Sequence, residues 1–312
     1  MYYIELFFSC EYNDGDNFST VWRKYIPHIG IIMIRPIRQI SNTKRLPFKE
    51  VERLREEFDP TETFRLTQSP NPNWRVGQGA NNDDWKKHQK LPIDPYSDDR
   101  TPNDNYKTLI GAITPRPIGL VSSVSSNGIK NLAPFSYFQV VNADPPIFTL
   151  GLSQGQGIPK DSLRNVLETK ELTINIISEW FVEAANATCT NAPFEEDEWK
   201  LSGLTPQAST LVKPPHVAES AFSIEAKLLN HHNWHSKTDP NRTTGTLLIV
   251  EGMKFHIRQD VINEDKTIDV SKLKPIARLG GITYAKLVSG FEIPRPDYLN
   301  LKEELESSKS DQ

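Results

Sequence analysis

The sequence predicts a mostly β protein, an antiparallel barrel with helical insertions. Three observations predict it. From Ile113 to Ile257 the chain runs through short apolar stretches punctuated by turn residues. Helical periodicity is confined to brief segments between them. The clearest connection, Ser125-Ser126-Asn127-Gly128, is a hairpin signal and not a parallel crossover. Strands joined by short turns, with few helices between, build antiparallel sheets that close on themselves.

The elements follow in order. Residues 1–46 form a poorly defined extension. Residues 47–104 read as a short helix around Val51, Leu54 and Phe58, stopped by Asp59-Pro60, and then a polar arm rich in Pro, Asn and Asp. The arm is either packed on the domain surface or a disordered tether, and Trp74, Trp85 and Tyr96 favour packing. The domain proper spans residues 105–298. Ile113 to Val124 is a strand, with Pro115 and Pro117 confined to its first part. Ile129 to Val141 returns as a second strand interrupted by Pro134. Asp144-Pro145-Pro146 turns the chain into a third, Ile147 to Leu152. A helix at 161–169 follows from Leu163, Val166 and Leu167, then a strand at 172–178 and a second helix at 179–189. Phe194 to Leu204 reads as an acidic loop. Ser223–Leu229 and Gly245–Ile257 are further strands, separated by the polar loop "NHHNWHSKTDPNRTT". Residues 299–312 are a charged tail expected to fray.

Bulk properties bound the function. The 312-residue chain has a formal net charge of −4, which gives no general reason to bind nucleic acid or an anionic membrane. No apolar run approaches the ~18 residues of a membrane-spanning helix. Two cysteines, Cys10 and Cys189, are too few for a disulfide framework and read as free thiols of a reducing compartment, the cytoplasm. The stretch from Asn17 to Lys49 is basic without acids and resembles a mitochondrial presequence, but it begins in the wrong place; Met33 is an alternative start.

One segment raises a nucleotide question. "GLSQGQGIPKDSLRNVLETKE" joins a strand, a Gly-rich turn, a helix and a second strand that ends at Glu179. A dinucleotide turn needs G-x-G-x-x-G, whose last glycine lets helix and strand approach closely. Here Lys160 stands in that place with Pro159 before it, and a hairpin precedes the unit instead of a crossover. Phosphate binding survives this objection. Asp161 can cap the helix, and Lys160, Ser162 and the free amides of the first turn together suit a dianion. The alternative is a solvated Lys160 and an Asp161 that only caps.

The first hairpin adds a polar set: Arg116 at the strand entrance, Ser122 and Ser123, then Asn131 and Ser136. Paired strands can line these along one cleft, and Pro134 frees a sheet edge for a heterocycle. Ordinary strand serines beside an edge bulge are the alternative. The histidines of "HHNWH" read as a substrate-side or solvent loop in preference to a metal site: His231 and His232 are adjacent, so a strand points them to opposite faces, and no carboxylate or thiol completes a ligand set.

Three blocks, "TPRPIGLVSSVSSNGIKNLAPFSYFQVVNADPPIFTLGLS", "KDSLRNVLETKELTINIIS" and "IDVSKLKPIARLGGITYAKL", come in the order and spacing of a known family. The chain resembles the flavin reductase-like family, the flavoredoxin or NTAB-type group. Coverage runs from Asn105 to Tyr298, about three-fifths of the chain. The resemblance implies an FMN-binding split β-barrel, antiparallel and Greek-key-like, working as a homodimer with FMN at or near the subunit interface. It implies Arg116, Ser122 and Ser123 by the phosphate and ribityl chain. Ala133, Pro134, Ser136 and Phe138 would border the flavin ring, and Ser153, Lys160, Asp161 and Ser162 would complete the phosphate end. Arg278 in "ARLGG" falls near the site or serves as a structural ion pair. The implied activity is hydride transfer from NADH or NADPH to FMN, which needs no side-chain nucleophile. A flavin-binding interaction module without turnover, with 67–105 and 194–204 as partner surfaces, is the alternative.

Overall fold

The computed structural model describes residues 47–155 and 158–310. The chain divides into Met1–Phe58 and Asp59–Gln312. Of the first unit, the described part holds α1 (Phe48–Glu52), a single turn with no buried side chain; the expectations for Cys10, residues 17–46 and Met33 lie outside the described residues.

The second unit begins with β1 (Arg65–Thr67) and α2 (Pro102–Ala112), followed by β2 (Gly119–Val124), β3 (Lys130–Phe135), β4 (Phe138–Ala143) and β5 (Pro146–Ser153). Next come α3 (Asp161–Thr169), β6 (Glu171–Ile176), α4 (Val182–Ala187), α5 (Glu198–Ser202), β7 (Pro206–Gln207) and β8 (His216–Val217). The long strands β9 (Phe222–His235) and β10 (Thr243–Ile257) precede α6 (Val270–Leu273), β11 (Ile276–Arg278), β12 (Tyr284–Lys286), β13 (Ser289–Phe291) and α7 (Tyr298–Ser310).

Seven strands form one antiparallel sheet in the order β3-β2-β6-β9-β10-β5-β4. Its edge strands, β3 and β4, are consecutive in sequence. Ser136 and Tyr137 alone link them. Two residues span only a few ångströms each, so opposite edges of the sheet must meet. That requirement curls the sheet into a barrel, split where β3 and β4 fail to pair. The fold is therefore mostly β with helical insertions.

Strand alternation gives each sheet face its own core. Val121, Phe135, Phe138, Phe148, Leu150, Leu152, Leu172, Ile174, Ile224 and Leu248 fill the barrel interior, and Leu163 and Val166 of α3 join them. The outer faces of β2 and β3 bury Leu120 and Leu132 against Phe181, Ala185 and Trp199 around α4 and α5. The Asn-Gly hairpin forms as its residues dictate: Gly128 takes a positive φ of 84°, and the Ser125 amide donates to the Ile129 carbonyl at 2.9 Å.

Several expected elements are corrected. The strand expected over Ile113–Val124 starts only at Gly119; α2 precedes it, opened by Pro102 and a reciprocal Thr101–Asp104 capping box. The expected strand Ile129–Val141 is two strands on opposite edges. The acidic loop contains α5, whose Trp199 anchors the outer core. Most of the expected polar loop between the last long strands is strand, because β9 and β10 pair as far as His235 and Thr243. The tail is helical through α7. The arm packs on the unit: β1 runs parallel to β13, and the Val76 amide donates to Glu304 Oε1 of α7 at 3.3 Å.

Candidate functional site

Two adjoining clefts, of about 740 and 210 Å³, open at the split of the barrel. They share Pro134, Phe135, Lys160 and Cys189 as a common wall. The larger is floored by Asn131 and Ala133 of β3 and by Lys160, Asp161 and Ser162 at the start of α3, and its far wall is the segment from Thr188 to Phe194. Tyr106, Ser136, Tyr137, Gly151, Ser153, Arg278 and Tyr284 line the smaller.

The N-terminus of α3 points into this space. Lys160, not Asp161, occupies the N-cap position, and no side chain caps the helix. The expected capping by Asp161 is thus corrected; its carboxylate instead bonds Arg164 at 2.9 Å, whose guanidinium lies 3.3 Å from the centre of the Phe194 ring. The first-turn amides of a helix have no intrahelical partner and carry the positive end of its dipole. Lys160 adds a full charge beside them. Ser162 is buried, and its hydroxyl oxygen accepts from Asn131 Nδ2 at 2.7 Å. That leaves its own hydrogen to donate elsewhere.

The twelve expected site residues divide between the cleft and its supports. Ala133, Pro134, Ser136, Ser153, Lys160, Asp161, Ser162 and Arg278 line one or both clefts. Arg116 is buried and spends its guanidinium on Ile110 O at 2.6 Å, Ile113 O at 2.8 Å, Leu279 O at 3.0 Å and Ser136 Oγ at 3.3 Å. It ties α2 and β11 to the entrance of β2. Ser122 and Ser123 are fully buried on opposite faces of β2. Ser123 Oγ accepts from Asn165 Nδ2 of α3 at 3.2 Å, while Ser122 Oγ has no partner among the described residues. Phe138 belongs to the interior core and stacks on Phe148 with centroids 6.1 Å apart. Arg278 pairs with no carboxylate among the described residues; its guanidinium lies 4.3 Å from the centre of the Tyr284 ring.

Two further residues complete the site: Asn131, part of the polar set expected along one cleft, and Glu198, which sequence reading passed over. Asn131 stands opposite Ser123 across the hairpin and lines the larger cleft. Glu198, the first residue of α5, is 5% exposed at the cleft wall and accepts from the Leu132 amide at 3.3 Å on the open edge of β3. Burial pushes its carboxyl above the ordinary carboxylate range, and Asp161 and Asp197 push the same way against the Leu132 amide. The signal for this helix was Trp199 and Leu204 inside an otherwise acidic run. Glu179, which closed the dinucleotide-like pattern, pairs with Lys274 at 2.5 Å.

The family model for the flavin reductase like domain matches residues 111–271, which include all of α3. The chain belongs to the flavin reductase like domain family. Residues 1–110 precede the match. An uncharacterised protein of Aquifex aeolicus is 37% identical over 185 residues, 58% of this chain and 89% of its own. The uncharacterised protein YwrF of Bacillus subtilis is 35% identical over 201 residues, 64% of this chain and 97% of its own. Among solved structures, nitrilotriacetate monooxygenase component B from Bacillus cereus superposes with a TM-score of 0.62 at 36% identity, covering 66% of this chain and all of its own. The 2-nitrobenzoate 2-nitroreductase NbaA of Pseudomonas fluorescens gives 0.56 at 26% identity over 64% of this chain and 93% of its own. A split barrel domain protein from Shewanella frigidimarina, at 21% identity and a TM-score of 0.54, shares the fold.

Membership of this family supports a flavin-related function for the chain. Among its described residues no helix is long and apolar enough to cross a membrane, and no three His, Cys, Asp or Glu side chains converge on a metal position.

Proposed function

We propose that the protein is an FMN-dependent oxidoreductase in which NADH or NADPH delivers a hydride to the flavin. The observation that carries this reading is the uncapped start of α3, presenting Lys160 and Ser162 to a cleft of about 740 Å³. Ligand clefts for molecules of this size run to several hundred cubic ångströms. The donors fit a phosphate dianion. Free amides, one ammonium and one hydroxyl hydrogen lie together at the start of α3, and the Asp161 carboxylate beside them is paired with Arg164. Bound FMN would supply the hydride acceptor and the onward electron transfer. The chain's own residues bind and orient. Lys160 and Ser162 hold the phosphate end, Ala133 and Pro134 border the ring along the unpaired edge of β3, and the 188–194 segment forms the opposite wall.

Two of the three solved structures are, by their names, a monooxygenase component and a nitroreductase, in keeping with an oxidoreductase. We also read the protein as a homodimer: the edge strand β4 leaves Val140 and Val141 more than half exposed beside the half-exposed Tyr137 of the smaller cleft.

An absorbance spectrum of the purified protein followed by anaerobic NAD(P)H titration tests the function. A bound flavin that bleaches on titration is expected. Colourless protein that does not quench the fluorescence of added FMN overturns it. Bound FMN with no NAD(P)H oxidation across a range of acceptors leaves a flavin-binding module.

A further inference from the structure

The far end of the β9–β10 hairpin lies on the same side of the sheet as the smaller cleft. Residues in register across neighbouring strands share a face. Ser153, Gly245 and Trp234 stand abreast on β5, β10 and β9, and Gly151, Leu247 and His232 form the next row. Gly151 and Ser153 line the cleft. Trp234 and His232 therefore present their rings on the cleft's face of the sheet, two strand spacings, about 10 Å, from its wall. Gly245 between Ser153 and Trp234 has no side chain to rise from that row.

The two rings pack edge to face with centroids 4.2 Å apart. Trp234 nevertheless keeps 54% of its surface exposed. Beyond Lys227, β9 has lost its β6 neighbour, so this aromatic pair sits at an open edge. On the opposite face the hairpin is fixed to the loop that leads to Lys160. Gln154 Nε2 donates to Thr246 Oγ1 at 2.8 Å, and Thr246 Oγ1 donates to Asn233 Oδ1 at 2.8 Å. The platform is thus held rigidly relative to the cleft. The turn from Ser236 to Arg242 carries two cations against one acid. Lys237 has no carboxylate partner among the described residues, and Arg242 donates to Ser236 Oγ at 3.2 Å. The single acid, Asp239, accepts from the Asn241 amide within the turn.

We infer that Trp234 and His232 form a stacking subsite for the adenosine end of the electron-donating dinucleotide, with Lys237 near its phosphates. The inference rests on the NAD(P)H reading of the cleft. A nucleobase stacks on an exposed indole regardless of its edge pattern, and a neighbouring ammonium favours the anionic linkage. A dinucleotide is long enough to reach from this platform to a flavin in the cleft. The loop sequence that suggests no metal site is here a nucleotide-facing surface.

The test separates the two ends of the donor. Reduced nicotinamide mononucleotide lacks the adenosine; ADP-ribose lacks the nicotinamide. In the FMN-loaded protein, Trp234→Ala should raise the KM for NADH and NADPH roughly tenfold more than the KM for the mononucleotide, and Trp234→Phe should restore most of the difference. ADP-ribose should bind the wild-type holoprotein by calorimetry and bind Trp234→Ala roughly tenfold more weakly. Equal KM changes for dinucleotide and mononucleotide, or ADP-ribose binding that ignores the substitution, overturns the subsite. Should the wild type oxidise no nicotinamide donor at all, the donor reading of the cleft falls, and the ADP-ribose titration still decides the platform.

Discussion

Asn131 donates its side-chain amide to the hydroxyl of Ser162 at 2.7 Å, joining the open edge strand to the first turn of α3. Both residues are buried and both line the larger cleft. The bond fixes Ser162 Oγ as an acceptor toward β3, which aims its hydrogen at whatever fills the cleft. Asn131→Leu should weaken FMN binding several-fold, the value of about one hydrogen bond, and leave riboflavin affinity nearly unchanged. Lys160→Ala removes a charge-assisted contact and should cost tenfold or more for FMN alone. Fluorescence-quenching titrations with both flavins check this; equal losses for FMN and riboflavin would remove the phosphate assignment.

Arg116 is expected to matter for stability. Its buried guanidinium satisfies three carbonyls from α2, the segment after it and the segment after β11. Arg116→Met strands those acceptors and should destabilise the domain by roughly 3 kcal/mol. Urea unfolding followed by fluorescence measures it. A midpoint within error of the wild type would show that water replaces the guanidinium freely.

Glu225 makes the fold acid-sensitive. Burial pushes its carboxyl up, but the Thr210 amide, His256, the Leu211 amide and the Thr210 hydroxyl outweigh burial and bring it down to about 2 from an ordinary 4.5. A carboxyl lowered in the folded state stabilises above its unfolded value, and that contribution disappears as pH falls through the folded value. The stabilisation, on the order of 3 kcal/mol, should be intact at pH 7 and decay between about pH 4.5 and 2. Glu225→Gln should be less stable than wild type at neutral pH, with the gap narrowing across that window. Thermal melts as a function of pH read both curves; a constant gap would refute the linkage.

Glu198 has the opposite sign. Its carboxyl is raised, chiefly by burial at the cleft wall. Ionisation therefore costs folding free energy as pH rises from the unfolded carboxyl value through the raised one. Glu198→Gln keeps an acceptor for the Leu132 amide and removes that cost. The variant should melt higher than wild type near neutrality and converge with it in acid. A lower melting temperature at neutral pH would mean that the carboxylate is compensated by contacts outside the chain.

Local features carried much of the fold into view. The Asn-Gly turn located β2 and β3, because its residues accept the backbone angles the hairpin requires. The spacing of Leu163, Val166 and Leu167 located α3, because one apolar face must enter the core. The chain also held signals that a strand-centred reading passes over: Thr101-Pro102 with Asp104 is a helix start, and α2 follows it. In the site, Lys160 and Ser162 were legible from their place at the start of a helix. The supporting role of Arg116 was not, since its partners Ile110 O, Ile113 O and Leu279 O are backbone atoms that no residue pattern advertises.

By itself the sequence determined the antiparallel class, the central hairpin, α3 and the family. Alternation and turn chemistry are short-range properties, readable over a few residues. Tertiary structure alone decided that Phe135 ends one edge of the sheet and Phe138 begins the other. That division depends on the curl of seven strands, which no local window contains. It also decided that Glu198 is buried against β3 and that Trp234 shares a face with Ser153. Each of these is a matter of register between distant segments, settled only when burying the apolar faces chooses one pairing over its one-residue slip.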